Sequence, residues 1–163
     1  MKRIIQLGFT AAAARARILY SALAWFAALG LFLSIVCHLL SWARLTPPGG
    51  QAAFLLHLGI FVVWVPLVFC ANRTKPGGGR GNVDHLLEPL PRWVGPALSG
   101  VFAYAFISFF VFMAMTRQYP KHSVPAWLEL RGFSGHWMLF YSVALAGFVG
   151  LKRLKKNNDL SSR

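Results

Sequence analysis

Four stretches of this chain, Ile18–Trp42, Ala52–Ala71, Val94–Thr116 and Phe133–Leu151, contain no Lys, Arg, Asp or Glu. They run from 19 to 25 residues, and a helix rising about 1.5 Å per residue needs roughly 20 to cross a hydrocarbon core. In the third of them the aromatic side chains reach every face rather than one stripe, the pattern of a helix that touches lipid or neighbours all round. The pattern predicts an all-α fold: a four-helix transmembrane bundle forming a single integral membrane domain over residues 1–163. The first two spans are separated by Thr46-Pro47-Pro48-Gly49-Gly50, a firm helix stop and a tight turn, which predicts antiparallel neighbours. Pro66 falls inside the second span, where it removes one backbone hydrogen bond and predicts a kink. Pro96 falls in the first turn of the third, where a missing N–H costs little.

Between spans two and three, residues 72–93 hold a Gly-rich stretch, Pro76-Gly77-Gly78-Gly79-Arg80-Gly81, and then Val83–Glu88, which reads as a short interfacial helix ending before Pro89 and Pro91. The Gly-rich stretch lacks the G-x-x-x-x-G-K-[ST] spacing of a phosphate loop and follows no strand, so nucleotide binding is not expected. His85 beside Asp84 and Glu88 reads as a solvated face rather than a metal site. Residues 1–17 read as a retained helical lead-in to the first span, with Leu7, Phe9 and Ile18 available for interfacial packing. Ile4–Phe9 is too short and too polar for the apolar region of a cleaved signal. Cys37 and Cys70 fall at opposite ends of adjacent antiparallel spans, beyond disulfide reach, and read as small buried side chains. Asn157–Arg163 reads as an unstructured end.

Charge changes the picture next. The chain is 56% hydrophobic yet carries a net charge of +13. Of the 17 Lys and Arg, four lie in the N-terminal segment (Lys2, Arg3, Arg15, Arg17), four in 72–93 (Arg73, Lys75, Arg80, Arg92) and five in the tail 152–163 (Lys152, Arg153, Lys155, Lys156, Arg163). In a four-pass topology these thirteen share one side, leaving Arg44, Arg117, Lys121 and Arg131 on the other. The positive-inside rule then predicts cytoplasmic N and C termini. Attraction to anionic headgroups accounts for the basic excess, so membrane lipids are expected partners and nucleic acid is not.

The candidate chemistry is a layer of histidines. His38 lies six residues before Arg44, His57 six after Gln51, and His136 five after Arg131. At 1.5 Å per residue each is about 8–9 Å inward from its flanking loop residue. An imidazole in lipid needs hydrogen-bond partners, so these rings are expected to face the bundle. Convergent imidazoles can ligate Zn or Cu, and a facing pair can hold haem b. Against a tuned metal site, no carboxylate lies at that depth to orient the rings; Glu129 is the only acid in the connection before the fourth span. Ser34, Ser41, Ser134 and Tyr141 are available as ordinary hydrogen-bond partners. Packing is the expected role of the histidines, and no bound cofactor is expected; cofactor binding by His38, His57 and His136 is the alternative.

The segment Arg131–Tyr141, RGFSGHWMLFY, resembles an R-x-F-S-G-H-W-M-x-F-Y pattern found in small bacterial multi-pass membrane proteins of no assigned function. The resemblance implies a bacterial inner-membrane location and implies no activity. Read physically, Gly132 and Gly135 permit close helix approach, and Ser134 can cap a helix start at Phe133. With Trp137 and Tyr141 they suggest tight packing against a neighbouring helix, a cofactor or another subunit. On the third span Phe106, Phe109 and Phe110 belong to an aromatic run that reaches every face. No nucleophile–base pair and no intramembrane acid is present, so no catalytic residue is assigned and an enzyme is not expected. The expected function is a small accessory or scaffolding subunit of a larger membrane complex, partnered by other integral subunits or by copies of itself. A haem- or metal-binding membrane redox protein is the alternative, and a small membrane enzyme or transporter acting on a lipid or quinone is weaker still.

Overall fold

A computed structural model describes residues 2–47, 50–74, 84–120 and 123–161. Five α-helices and one 3₁₀ turn account for most of them: α1 (Lys2–Trp42), the 3₁₀ turn Gly50–Phe54, α2 (Leu55–Thr74), α3 (Asp84–Leu87), α4 (Val94–Thr116) and α5 (Ala126–Ser161). The stretch Gly77–Gly81, Lys121 and His122, and the side chains of Leu7 and Phe9, lie outside the described residues. α1, α2, α4 and α5 are each long and apolar enough to cross a membrane, and among the described residues there is no strand. The chain is an all-α, four-span membrane protein.

α5 is the axis of the bundle. Half of its spanning segment is buried inside the protein, against 28% for α1, 17% for α2 and 11% for α4. Paired residues fix the directions. His38 of α1 meets Ser134 of α5, and Gly30 meets Tyr141, so these helices run antiparallel. α2 runs alongside α5, with Trp64 on the carbonyl of Phe140 and Leu67 against Gly147. α4 opposes α5, with Phe112 over Gly132 and Ala105 against Gly135. The start of α1, the end of α2, the start of α4 and the end of α5 therefore share one end of the bundle, the end that carries Arg15, Arg17, Arg73, Arg92, Lys152, Arg153, Lys155 and Lys156. α1 and α2 are antiparallel and touch, with Phe26 near Gly59, but each packs more extensively on α5 than on the other. A short turn dictates antiparallel direction, and small residues on all three helices, Gly30 on α1, Gly59 on α2 and Gly147 on α5, admit the side chains that join them.

Two further boundaries differ from expectation. The last helix begins at Ala126, directly after Pro125, rather than at Phe133, and continues through Ser161 rather than stopping at the basic tail. Proline is well suited to open a helix, and Leu128 and Leu130 are buried, so packing recruits the charged stretch around Glu129 and Arg131 into the helix. Ser134 is consequently mid-helix and caps nothing.

α1 ends in a Schellman arrangement. Leu45 N–H donates to the carbonyl of Leu40 at 2.9 Å and Arg44 N–H to that of Ser41 at 3.1 Å, with Arg44 itself at φ 58°. At the basic end the short helix α3 lies on α5. Leu86 is fully buried, and a Cβ at Gly150 would collide with its carbonyl oxygen. Arg153 donates to the carbonyl of Pro89 at 3.0 Å, and Thr74 Oγ1 and His85 Nε2 are paired at 3.2 Å.

Candidate functional site

The segment Arg131–Tyr141 sits where α5 meets all three other spans, and successive side chains go to different helices. The Arg131 guanidinium lies 3.6 Å from the Trp42 ring centroid at the end of α1. The face of Gly132 is covered by the Phe112 ring of α4, and a Cβ there would come within 2.5 Å of it. Gly135 lets Ala105 and Ser108 of α4 approach, with 3.6 Å to the Ala105 Cα from the position its Cβ would occupy. Ala105 and Ser108 are the two buried residues of α4, so this glycine step is the main seat of that helix. Ser134 turns to α1 and Trp137 to α2; both are fully buried. Tyr141 fills a slot between α1 and α2, since a Cβ on either Gly30 or Gly59 would collide with it. Its hydroxyl donates to the carbonyl of Leu56 at 2.7 Å.

The most connected polar group is His38, which is buried. Its Nδ1 is paired with Ser134 Oγ at 2.7 Å. Its Nε2 accepts from the Trp42 indole N–H at 2.9 Å and is also in hydrogen-bond contact with the Tyr104 hydroxyl. An indole nitrogen can only donate. Nε2 is therefore the lone-pair nitrogen, the ring proton is on Nδ1, and Nδ1–H donates to Ser134. Ser134 Oγ passes the chain on to the carbonyl of Arg131 at 3.4 Å. One imidazole thus ties α1 to α4 and α5 with both of its nitrogens engaged.

The other two histidines are occupied separately. His57 Nδ1 accepts from the Trp137 indole at 3.3 Å, and the ring itself is exposed at the edge of the bundle beside Phe133 and Phe61. His136 Nδ1 donates to the carbonyl of Gly132 at 3.1 Å, and its ring stands edge-on to Phe109, centroids 5.1 Å apart. The three rings at matched depth do not converge. Among the described residues no group of three or more His, Cys, Asp and Glu is gathered as a metal site would require. The three histidines are hydrogen-bonded separately: His38 and His57 each bond across to α5, His136 bonds within its own helix, and His38 could ligate a metal only by giving up the bonds that join three helices.

The chain matches no family model, no curated protein and no solved structure. The site is therefore read from its own geometry.

Gly132, Ser134, Gly135, Trp137 and Tyr141 all face inward and pack this chain's own helices. Of the three phenylalanines singled out with them, Phe109 is half-buried on His136, while Phe106 and Phe110 face outward. Phe102, Phe106 and Phe110 form a ladder along the outer face of α4, with centroids 6.2 and 4.8 Å apart. Sequence reasoning did not single out Trp42, Tyr104, Arg44 and Arg131. The available signal was the spacing of Trp42 from His38, one helical turn on the same face. Tyr104 is 66 residues from His38 and had no local signal.

Proposed function

We propose that this protein is a small accessory or scaffolding subunit of a larger assembly in a bacterial inner membrane, with both termini cytoplasmic. The observation that carries this reading is the division of labour among the helices. The polar and small-residue chemistry is spent inside, on fixing α5 to α1, α2 and α4. α4 buries only Ala105 and Ser108 and turns the ladder Phe102, Phe106 and Phe110 outward, each ring more than half exposed. Lipid offers no hydrophobic drive for helix association, so a partner must win by surface fit. A rung of rings spaced by four residues is a pre-ordered, low-entropy surface for such a fit. The location rests on the thirteen-to-four division of Lys and Arg among the segments between the spans and on the motif at Arg131–Tyr141. Other integral subunits or further copies of this chain are the partners of this reading.

The test is mass in a membrane. Extracted under mild conditions into lipid nanodiscs, the protein is expected with larger membrane proteins or as a homo-oligomer. A lone 18.1 kDa chain across several gentle extractions would defeat the proposal. A reporter fused after Arg163 is expected on the cytoplasmic side, and an external one would reverse the topology.

A further inference from the structure

We infer that the groove between α1 and α5 at the basic end binds one phospholipid with an anionic headgroup, drawn from the leaflet at that end. The groove has a volume of about 450 Å³. Ser21, Ala24 and Ala28 form its α1 wall; spaced by three and four residues, they share one helix face and leave room that larger side chains would fill. Leu145 and Val149 form the α5 wall, and Trp25, 78% exposed, stands at the rim. Three cations line the mouth, Lys152, Arg153 and Lys156, and no acidic side chain does. Lys152 and Lys156 are one helical turn apart and both exposed. Arg153 has one nitrogen on the Pro89 carbonyl, and a guanidinium carries further N–H donors suited to phosphate.

The dimensions fit a lipid rather than a free anion. From Lys156 to Leu145 is eleven residues of helix, roughly 16 Å, about half of a 30 Å hydrocarbon core and so the depth of one leaflet. Charge lies at the interface end and apolar surface along the rest, the order of groups in a phospholipid. A zwitterionic headgroup would set its own cation against Lys152 and Lys156; an anionic one does not. A partner helix would cover the apolar wall but leave the three charges unmatched. The inference needs neither the proposed partner nor the proposed orientation, because the basic end faces one leaflet either way.

The experiment is native mass spectrometry of the protein released from nanodiscs of equal dioleoylphosphatidylglycerol and dioleoylphosphatidylcholine. The expected result is one retained phosphatidylglycerol in preference to phosphatidylcholine. Lys152→Gln with Lys156→Gln should lower that retention roughly thirtyfold, given the strength of juxtamembrane cation–lipid attraction. Ala28→Phe, which fills the groove and leaves the charges, should abolish it. Arg73→Gln with Arg92→Gln removes the same charge from the same end outside the groove and should leave it unchanged. Lys152 and Lys156 are exposed, so the charge pair is informative even if Ala28→Phe perturbs folding. Three results would overturn the site: no preference in the original protein, equal losses from the two charge pairs, or displacement of the lipid by millimolar inorganic phosphate.

Discussion

At the scale of single residues, His38 and Arg44 carry the most testable chemistry. Replacing His38 with Leu removes the partner of the Trp42 indole and of the Tyr104 hydroxyl, both on partly exposed side chains, and leaves the buried Ser134 hydroxyl only the Arg131 carbonyl. Unsatisfied buried donors cost about 1–3 kcal/mol in soluble proteins, and hydrogen bonds between membrane helices average about 0.6 kcal/mol. A loss of about 2 kcal/mol is expected for His38→Leu, read by unfolding in mixed micelles. Tyr104→Phe removes one of the two groups at Nε2 and should cost about 0.6 kcal/mol. Equal losses from the two would mean that His38 is not the hub. Arg44 holds a left-handed conformation that disfavours a Cβ, and its guanidinium lies 5.7 Å from the Trp127 ring centroid. Arg44→Ala loses the ring contact and keeps the strain, whereas Arg44→Gly loses the contact and relieves the strain. The glycine variant should be about 1 kcal/mol more stable than the alanine variant.

At the scale of elements, small residues on α5 decide which helices can approach, and their positions predict graded effects. Gly135→Ala places its Cβ 3.6 Å from the Ala105 Cα, an ordinary contact, and should be tolerated. Gly135→Leu cannot be accommodated without moving α4 away and should lower the unfolding midpoint markedly. Gly150→Ala meets the backbone of Leu86, which cannot turn aside as a flexible side chain can. That variant should free α3 while leaving the four spans intact, seen as faster tryptic cleavage at Arg92 without loss of helical signal. Gly100→Ala, with open space at its Cβ, is the control and should be neutral or slightly stabilising.

The spans were legible because uninterrupted apolar length is a local property, and the short helix around His85 because Pro89 and Pro91 stop it. The ends of α5 were not: nothing near Glu129 and Arg131 signals a membrane helix until Leu128 and Leu130 are seen buried and Arg131 is seen stacked on Trp42. The residues of the candidate site were legible by type and depth. Their partners were not, because His38–Tyr104 and Trp137–His57 are pairings across helices that depth alone cannot assign. Matched depth suggested a shared ligand; rotation about each helix axis instead gives the three rings separate partners, Ser134 and Tyr104 for His38, Trp137 for His57, and Phe109 with the Gly132 carbonyl for His136.

At the scale of the whole molecule, the bundle is organised from within by α5, and α4 is the span that buries least of itself. The interior polar groups are satisfied, with no buried side-chain nitrogen or oxygen lacking a partner among the described residues. The outer surface includes the groove beside Lys152 and the aromatic ladder of α4, together with exposed Phe32 on α1 and Phe61 and Phe69 on α2. The most direct measurement of the central claim is site-specific photocrosslinking in intact membranes. A benzophenone side chain is placed at Phe106 or Phe110, and at Val65, an exposed position of α2. A discrete protein adduct, to another subunit or a second copy, is expected from Phe106 and Phe110, and lipid adducts alone from Val65. Lipid adducts alone at all three positions would contradict it.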